Sequence, residues 1–147
     1  MPRPSSAALV AAALLAALLL SPAQAATDIN VGELSVDGLV VRELKCSLNS
    51  GGFMGPITVV GALAQQRGTI DACTPTGGAF RATWTWAAGK VVSLKVDASS
   101  PADKAGCFEK ALQAASPSLD GSCSALVLAG DAAGAEKAAA ALKPPPP

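Results

Sequence analysis

Apolar and polar residues alternate most regularly between residues 79 and 98. Every second residue is apolar from Phe80 to Trp86, and the alternation resumes at Val92 after a turn at residues 87–90. A period of two is typical of a strand with one buried face. The segment therefore predicts a β-hairpin, and it favours a place in the core, rather than in a ligand site, for both tryptophans, Trp84 and Trp86.

Three other segments predict strands. In Leu39–Leu48 the alternation places four residues on one buried face: Val40, Leu44, Cys46 and Leu48. Asp37-Gly38 indicates a tight turn that follows an additional N-terminal strand at Leu34–Val36, whereas residues 26–33 are polar and short. The run Cys123–Ala129 is apolar and favours a buried strand.

Three segments carry the pattern of helices. The first begins at Pro56 and ends before Pro75, with one apolar face made of Val59, Leu63, Ile70 and Cys73. The second follows Pro101, with Cys107, Phe108, Ala111, Leu112 and Ala115 on one stripe. Residues 131–142 are rich in alanine and predict a peripheral helix, followed by a proline tail.

From Val40 onward the predicted order is strand, helix, strand, strand, helix, strand. This βαββαβ order predicts an α+β fold of two layers, a ferredoxin-like (split βαβ) sandwich. In that fold the end of the first helix approaches the start of the second, and the first and last strands are antiparallel neighbours. These positions pair Cys73 with Cys107 and Cys46 with Cys123, so we expect two disulfides.

The N-terminus has the pattern of a secretory signal peptide. Arg3 precedes an apolar run from Ala7 to Leu20, and Ala23-Gln24-Ala25 is a cleavage pattern that signal peptidases accept. The domain prediction is therefore a signal peptide at 1–25, a disulfide-stapled domain at 26–130, and an alanine-rich helix with a proline tail at 131–147. The alternative, a retained N-terminal anchor, is less favoured because the apolar run is shorter than the roughly 20 residues of a membrane helix. We expect a periplasmic or secreted protein with no membrane span after cleavage.

Charge and composition exclude several classes of function. All 11 acidic residues and 10 of the 11 basic residues follow residue 25, which leaves a net charge of −1 after cleavage. Such a chain has no electrostatic attraction for nucleic acid. The chain has no histidine, which excludes Ser-His-Asp and Cys-His catalysis. The cysteines lack the spacing of a zinc site, and we predict no metal and no cofactor.

The hairpin and the second helix resemble the TonB C-terminal-like domains of myxobacterial envelope and gliding-motility proteins. The resemblance covers about residues 70–130 and rests on Ala82-Thr83-Trp84-Thr85-Trp86, Gly89-Lys90-Val91, Val96-Asp97-Ala98-Ser99-Ser100 and Cys107. It implies a periplasmic, envelope-associated role, partner binding by strand addition, and support for pairing Cys73 with Cys107. The chain departs from the family pattern in its upstream strand with Cys46 and in having no proline-rich spacer.

One segment is singled out as a candidate binding loop: Gly51, Gly52, Phe53, Met54 and Gly55. It precedes a helix but lacks the Lys-Ser/Thr of a phosphate-binding loop. The preferred interpretation is that Phe53 or Met54 folds back to staple the helix start.

Five carboxylates are available for acid-base chemistry, namely Glu43, Asp71, Asp97, Asp103 and Asp120, although turns, caps and strand exteriors account for most of them. We therefore expect a non-catalytic exported domain with a structural or partner-binding role, an envelope protein being the expected partner. The alternative is a secreted enzyme with a carboxylate-based site.

Overall fold

The computed structural model describes residues 25–144. The predicted signal peptide lies outside this range except for Ala25, and so do the last three prolines. Among the described residues, no helix is both long enough and apolar enough to cross a membrane.

Five antiparallel strands form one sheet in this part of the chain. They are β1 (Thr27–Val36), β2 (Leu39–Leu48), β3 (Gly78–Ala87), β4 (Lys90–Ser100) and β5 (Gly121–Ala129). Across the sheet their order is β1-β2-β5-β3-β4. The two edges of the sheet are therefore β1 and β4.

The helices lie on both faces of the sheet. They are α1 (Gly55–Ala64), α2 (Arg67–Cys73), α3 (Ala105–Leu112) and α4 (Ala132–Ala141). Residues of α1, α2 and α3 share the main core with one face, and α4 packs alanines against Leu126 and Leu128 on the other. The single helix predicted before Pro75 is thus two helices separated by two glutamines, and α4 covers part of the sheet rather than being merely peripheral.

The main core is built on the two tryptophans and two phenylalanines. Trp84 and Trp86 meet edge to face with ring centroids 5.5 Å apart, and Phe80 stacks on Phe108 of α3 at 4.2 Å. All four are at most 2% exposed. The prediction that both tryptophans lie in the core is confirmed.

The fold is α+β, as predicted, but its strand order is not that of a ferredoxin-like sheet. A ferredoxin-like sheet would place β4 between β2 and β3, whereas β5 occupies that position here. The reason lies in the side chains: residues 125–129 are buried on both faces, as a central strand requires, while β4 carries Lys90 and Lys95 and is suited to an edge.

A bulge in β2 reverses the buried face of that strand. Leu39 and Val41 face the main core before the bulge and Leu44 does so after it, whereas Val40 packs against the second core on the other face, so the prediction that Val40 shares a face with Leu44 is wrong. The pairing of β2 with β5 shifts register between Arg42 and Lys45, and Glu43, between them, has a φ of 51°. The extra residue moves every later side chain to the opposite parity.

A second irregularity changes the prediction for β4. Val92 is 61% exposed, and Val91 packs against the core in its place. The register between β3 and β4 shifts between Thr85 and Trp86, which inserts one residue on the β4 side. Only the part of the alternation from Leu94 to Val96 faces the core as predicted.

Both predicted disulfides are confirmed. Cys46 and Cys123 are paired neighbours on β2 and β5, with Cα atoms 4.1 Å apart. Cys73 at the end of α2 joins Cys107 in α3, with Cα atoms 5.9 Å apart. The disulfides therefore fasten the sheet to itself and the two helical segments to each other.

Candidate functional site

The glycine-rich segment forms a short 3₁₀ turn, Gly52–Met54, that leads into α1. Gly51 and Gly52 have φ angles of 91° and 51°, a backbone region that favours glycine. Phe53 is 84% exposed and Met54 is 47% exposed. The expected staple is therefore wrong for Phe53, whose ring points to solvent.

The reason is that other side chains already fill the space at the start of α1. Leu48 is 1% exposed, and a Cβ atom on Gly55 would lie 2.4 Å from its Cδ1. On the other side of the turn, Leu119 lies against Gly51. The core is complete here without Phe53, which leaves its ring available for an external contact.

Phe53 forms one wall of an apolar groove between β1 and the start of α1. The groove has a volume of about 350 Å³. We call it the Phe53 groove. Its lining residues are all uncharged: Thr27, Ile29, Val31, Leu34, Phe53, Pro56 and Ile57. A concave apolar surface of this kind is suited to another apolar surface rather than to a polar small molecule.

Exposed apolar side chains are concentrated at this place. Of the four large apolar side chains exposed among the described residues, Phe53, Met54 and Ile57 are adjacent, and only Val92 lies elsewhere. A single exposed valine is ordinary, but a cluster beside a groove is typical of an interaction surface.

The sequence prediction found one half of this surface and missed the other. It singled out residues 51–55 but took residues 26–33 as a short polar segment, whereas β1 begins at Thr27. Ile29 and Val31 pack against the edge of the core from this strand. Their spacing of two residues was the available signal.

A second, polar cavity lies beside the end of α4 on the opposite face of the sheet. Its volume is about 510 Å³, and its lining includes Glu43, Arg81, Thr83 and Asp97. Arg81 donates two hydrogen bonds to the Glu43 carboxylate, at 2.5 and 3.2 Å. This pairing lowers the pKa of Glu43, with the hydrogen bond from Arg81 as the largest cause.

The carboxylates named from the sequence do not form one site. Only Glu43 and Asp97 line the same cavity. Asp97 accepts a hydrogen bond from Thr83 at 3.0 Å and pairs with Lys95 at 2.9 Å.

The other three carboxylates lie elsewhere. Asp71 accepts from the Gly130 amide at 2.7 Å and thereby joins α2 to the end of β5. Asp120 accepts from the amide of Ala88 in the hairpin turn, and Asp103 lies in the 3₁₀ turn before α3. Asp71 and Asp120 have structural partners that account for their positions.

The region 25–144 contains no cluster of three or more Cys, Asp or Glu residues arranged to hold a metal ion. Comparison of the chain with protein-family models, curated proteins and solved structures found no match. The resemblance to TonB C-terminal-like domains therefore stays a prediction.

Proposed function

We propose that this chain is an exported, non-catalytic domain that binds a protein partner in the bacterial envelope or the medium through the Phe53 groove. The observation that carries the proposal is the exposure of Phe53, 84%, on a turn whose core is already filled. Burial of a phenylalanine side chain contributes roughly 1.5–3 kcal/mol. Here that free energy is available to an intermolecular contact, and aromatic residues in apolar pockets are frequent anchors of protein interfaces.

Export is supported by the cysteine chemistry together with the N-terminal pattern. All four cysteines are paired in disulfides, which persist in oxidising compartments such as the bacterial periplasm and are rare in the cytosol. The apolar run followed by Ala23-Gln24-Ala25 provides the matching export signal.

A non-catalytic role is supported by the chemistry of the polar cavity. An enzyme with a carboxylate site would use Glu43 and Asp97, the two acidic residues that share this cavity. A general acid needs a pKa near the working pH, whereas the pKa of Glu43 is lowered by Arg81. Asp97 is held by Thr83 and Lys95. These contacts favour a structural role for both carboxylates.

The test is site-specific photo-crosslinking in the exporting host. A photoreactive amino acid replaces Phe53 in one variant and Val92 in a matched control, because Val92 is also exposed and apolar but lies on the opposite edge of the sheet. We expect a protein adduct at position 53 and none at position 92. Equal yields at both positions, or no adduct at position 53, would contradict the proposal.

A loss of adduct must be separated from a loss of folding. Each variant should therefore retain both disulfides in non-reducing peptide mapping and unfold at the temperature of the parent protein. Replacement of Ile57 by serine in the Phe53 crosslinking variant removes a second groove residue and should lower the adduct yield, while Val92→Ser should not.

A further inference from the structure

The two edges of the sheet differ in how well they are protected. On β4 the backbone amide of Val96 already donates to the side chain of Glu109 at 3.1 Å, and Lys90 and Lys95 add charge. Such devices prevent an edge strand from pairing with another chain. Among residues 25–144, no side chain bonds the backbone of β1, whose ten residues contain no lysine and no proline. Although Asp28 and Glu33 add charge to it, β1 is the less protected edge.

The buried face of β1 reverses near its middle. Ile29 and Val31 pack against the core before Gly32, and Leu34 and Val36 do so after it. The polar residues therefore lie on the other face: Asp28 and Asn30 before Gly32, and Glu33 and Ser35 after it. This reversal lies opposite the bulge at Glu43, since Val31 pairs with Leu44 and Glu33 pairs with Arg42.

The reversal restricts how β1 could pair with a second β1. Directly opposite residues of an antiparallel pair project to the same face. A register with Asp28 opposite Leu34 would break this rule. Of the registers that pair at least eight residues of β1, only those with Ile29 opposite Leu34 or opposite Val36 match the faces throughout.

Charge and length then leave one register. Ile29 opposite Gly32 sets Asn30 against Val31, which lie on different faces, and puts Asp28 against Glu33, where like charges directly opposite are destabilising. Ile29 opposite Val36 sets Asp28 against Asp37, beyond the end of the strand. Ile29 opposite Leu34 pairs all ten residues and places the charged residues against neutral polar ones, Asp28 against Ser35 and Glu33 against Asn30.

We propose that the partner bound at the Phe53 groove is a second copy of this chain, joined β1 to β1 about a two-fold axis between Val31 and Gly32. The inference rests on the proposed function of the groove. In this dimer, Ile29 and Leu34 of the second copy extend the apolar face of β1 beside the groove of the first copy. Ile29 and Leu34 of the first copy lie in the same way beside the groove of the second, because the interface is isologous. β1 lies outside residues 70–130, the part of the chain that resembles TonB C-terminal-like domains.

Sedimentation velocity of the purified exported protein over a range of concentrations tests this register. We expect a reversible monomer–dimer equilibrium. Ser35→Asp places an aspartate opposite Asp28 twice per dimer and should raise the dissociation constant roughly two- to thirtyfold. Asn30→Asp places an aspartate opposite Glu33 of the other copy and should raise it by a similar factor, while within its own chain the new carboxylate lies opposite Lys45. Adding Asp28→Asn to Ser35→Asp should restore the parent value.

The matched control is Ser93→Asp on β4, an exposed serine on the other edge, which should leave the equilibrium unchanged. At a concentration where the parent protein is monomeric, all variants should retain its melting temperature and both disulfides. A protein that stays monomeric at every concentration, or a dimer weakened by Ser93→Asp but not by Ser35→Asp, would overturn the inference. A monomer that still crosslinks a different protein at position 53 would overturn only the self-association and leave the proposed function standing.

Discussion

Replacement of each tryptophan by phenylalanine should have unequal effects on stability. Trp84 and Trp86 are both almost fully buried, and their rings contact each other. The indole nitrogen of Trp86 donates to the carbonyl of Ala115 at 2.9 Å. The buried indole nitrogen of Trp84 has no partner among the described residues. The two sites thus differ in a single hydrogen bond.

The expected difference follows from that bond. Both substitutions keep an aromatic ring and lose the same volume, so the cavity cost is of the same order in each. Trp86→Phe also leaves the carbonyl of Ala115, itself 1% exposed, without its donor, which costs about 1–3 kcal/mol. Trp84→Phe removes a buried donor that lacks a partner, which recovers part of its desolvation cost. Trp86→Phe should therefore lower the free energy of unfolding by at least about 1 kcal/mol more than Trp84→Phe.

The assay is guanidinium unfolding of the oxidised proteins, followed by far-ultraviolet circular dichroism. The midpoints should fall in the order parent, Trp84→Phe, Trp86→Phe, with the same dependence on denaturant in all three, since a changed slope would indicate a changed unfolded or native state. If Trp84→Phe is as destabilising as Trp86→Phe, or more so, the reasoning about the hydrogen bond is wrong.

Three further predictions concern charge, backbone and disulfides. Because Arg81 lowers the pKa of Glu43, the contribution of this pair to stability is present above the ordinary carboxyl pKa and is lost as the pH falls through the lowered value. Glu43→Gln should therefore lower the melting temperature at pH 7, and its difference from the parent should shrink as the pH falls below the ordinary carboxyl range. Gly130→Ala should lower the free energy of unfolding by more than about 1 kcal/mol, because φ is 73° and the new Cβ would meet a backbone oxygen. Its control is Gly61→Ala inside α1, where a Cβ meets open space; chemical unfolding should show that this change raises the free energy of unfolding by up to about 1 kcal/mol. The two cysteines that join α2 to α3 are 34 residues apart in sequence. Replacing both should lower the free energy of unfolding by about 4 kcal/mol, the entropy cost of closing a loop of that length in the unfolded chain, and a decrease below about 1 kcal/mol would contradict this reasoning.

The disulfide pairing could be predicted although the strand order was not. Both the ferredoxin-like order and the observed order make β2 and β5 antiparallel neighbours, so Cys46 meets Cys123 in either. The position of β5 between β2 and β3 had a signal in the sequence, since its apolar run from residue 125 to 129 suits a strand covered on both faces, while the lysines of β4 suit an edge.

The bulges could not be predicted from the alternation. Glu43 adopts a left-handed conformation that glycine usually marks, and no glycine occurs in β2. The pairing with β1 and β5 fixes the position of this extra residue, which is information that the local sequence does not contain. The apparent parity of Val40 with Leu44 was therefore misleading.

Only part of the candidate site could be predicted from the sequence, again because tertiary contacts decide the rest. The glycines around Phe53 marked a turn before a helix, but whether the ring faces inward depends on what else fills the core. Leu48, from β2, takes that space. The exposure of Phe53 is thus a tertiary effect that residues 51–55 alone do not specify.

Hydrogen–deuterium exchange of the exported protein at low and high concentration tests most directly whether β1 beside the Phe53 groove is the binding edge. Exchange should slow with rising concentration at the outward-facing amides of Thr27–Val36, while the amides of Lys90–Ser100 on β4 keep the same rates at both concentrations. Slower exchange confined to β4, or no change on β1 at concentrations where dimers form, would contradict the account.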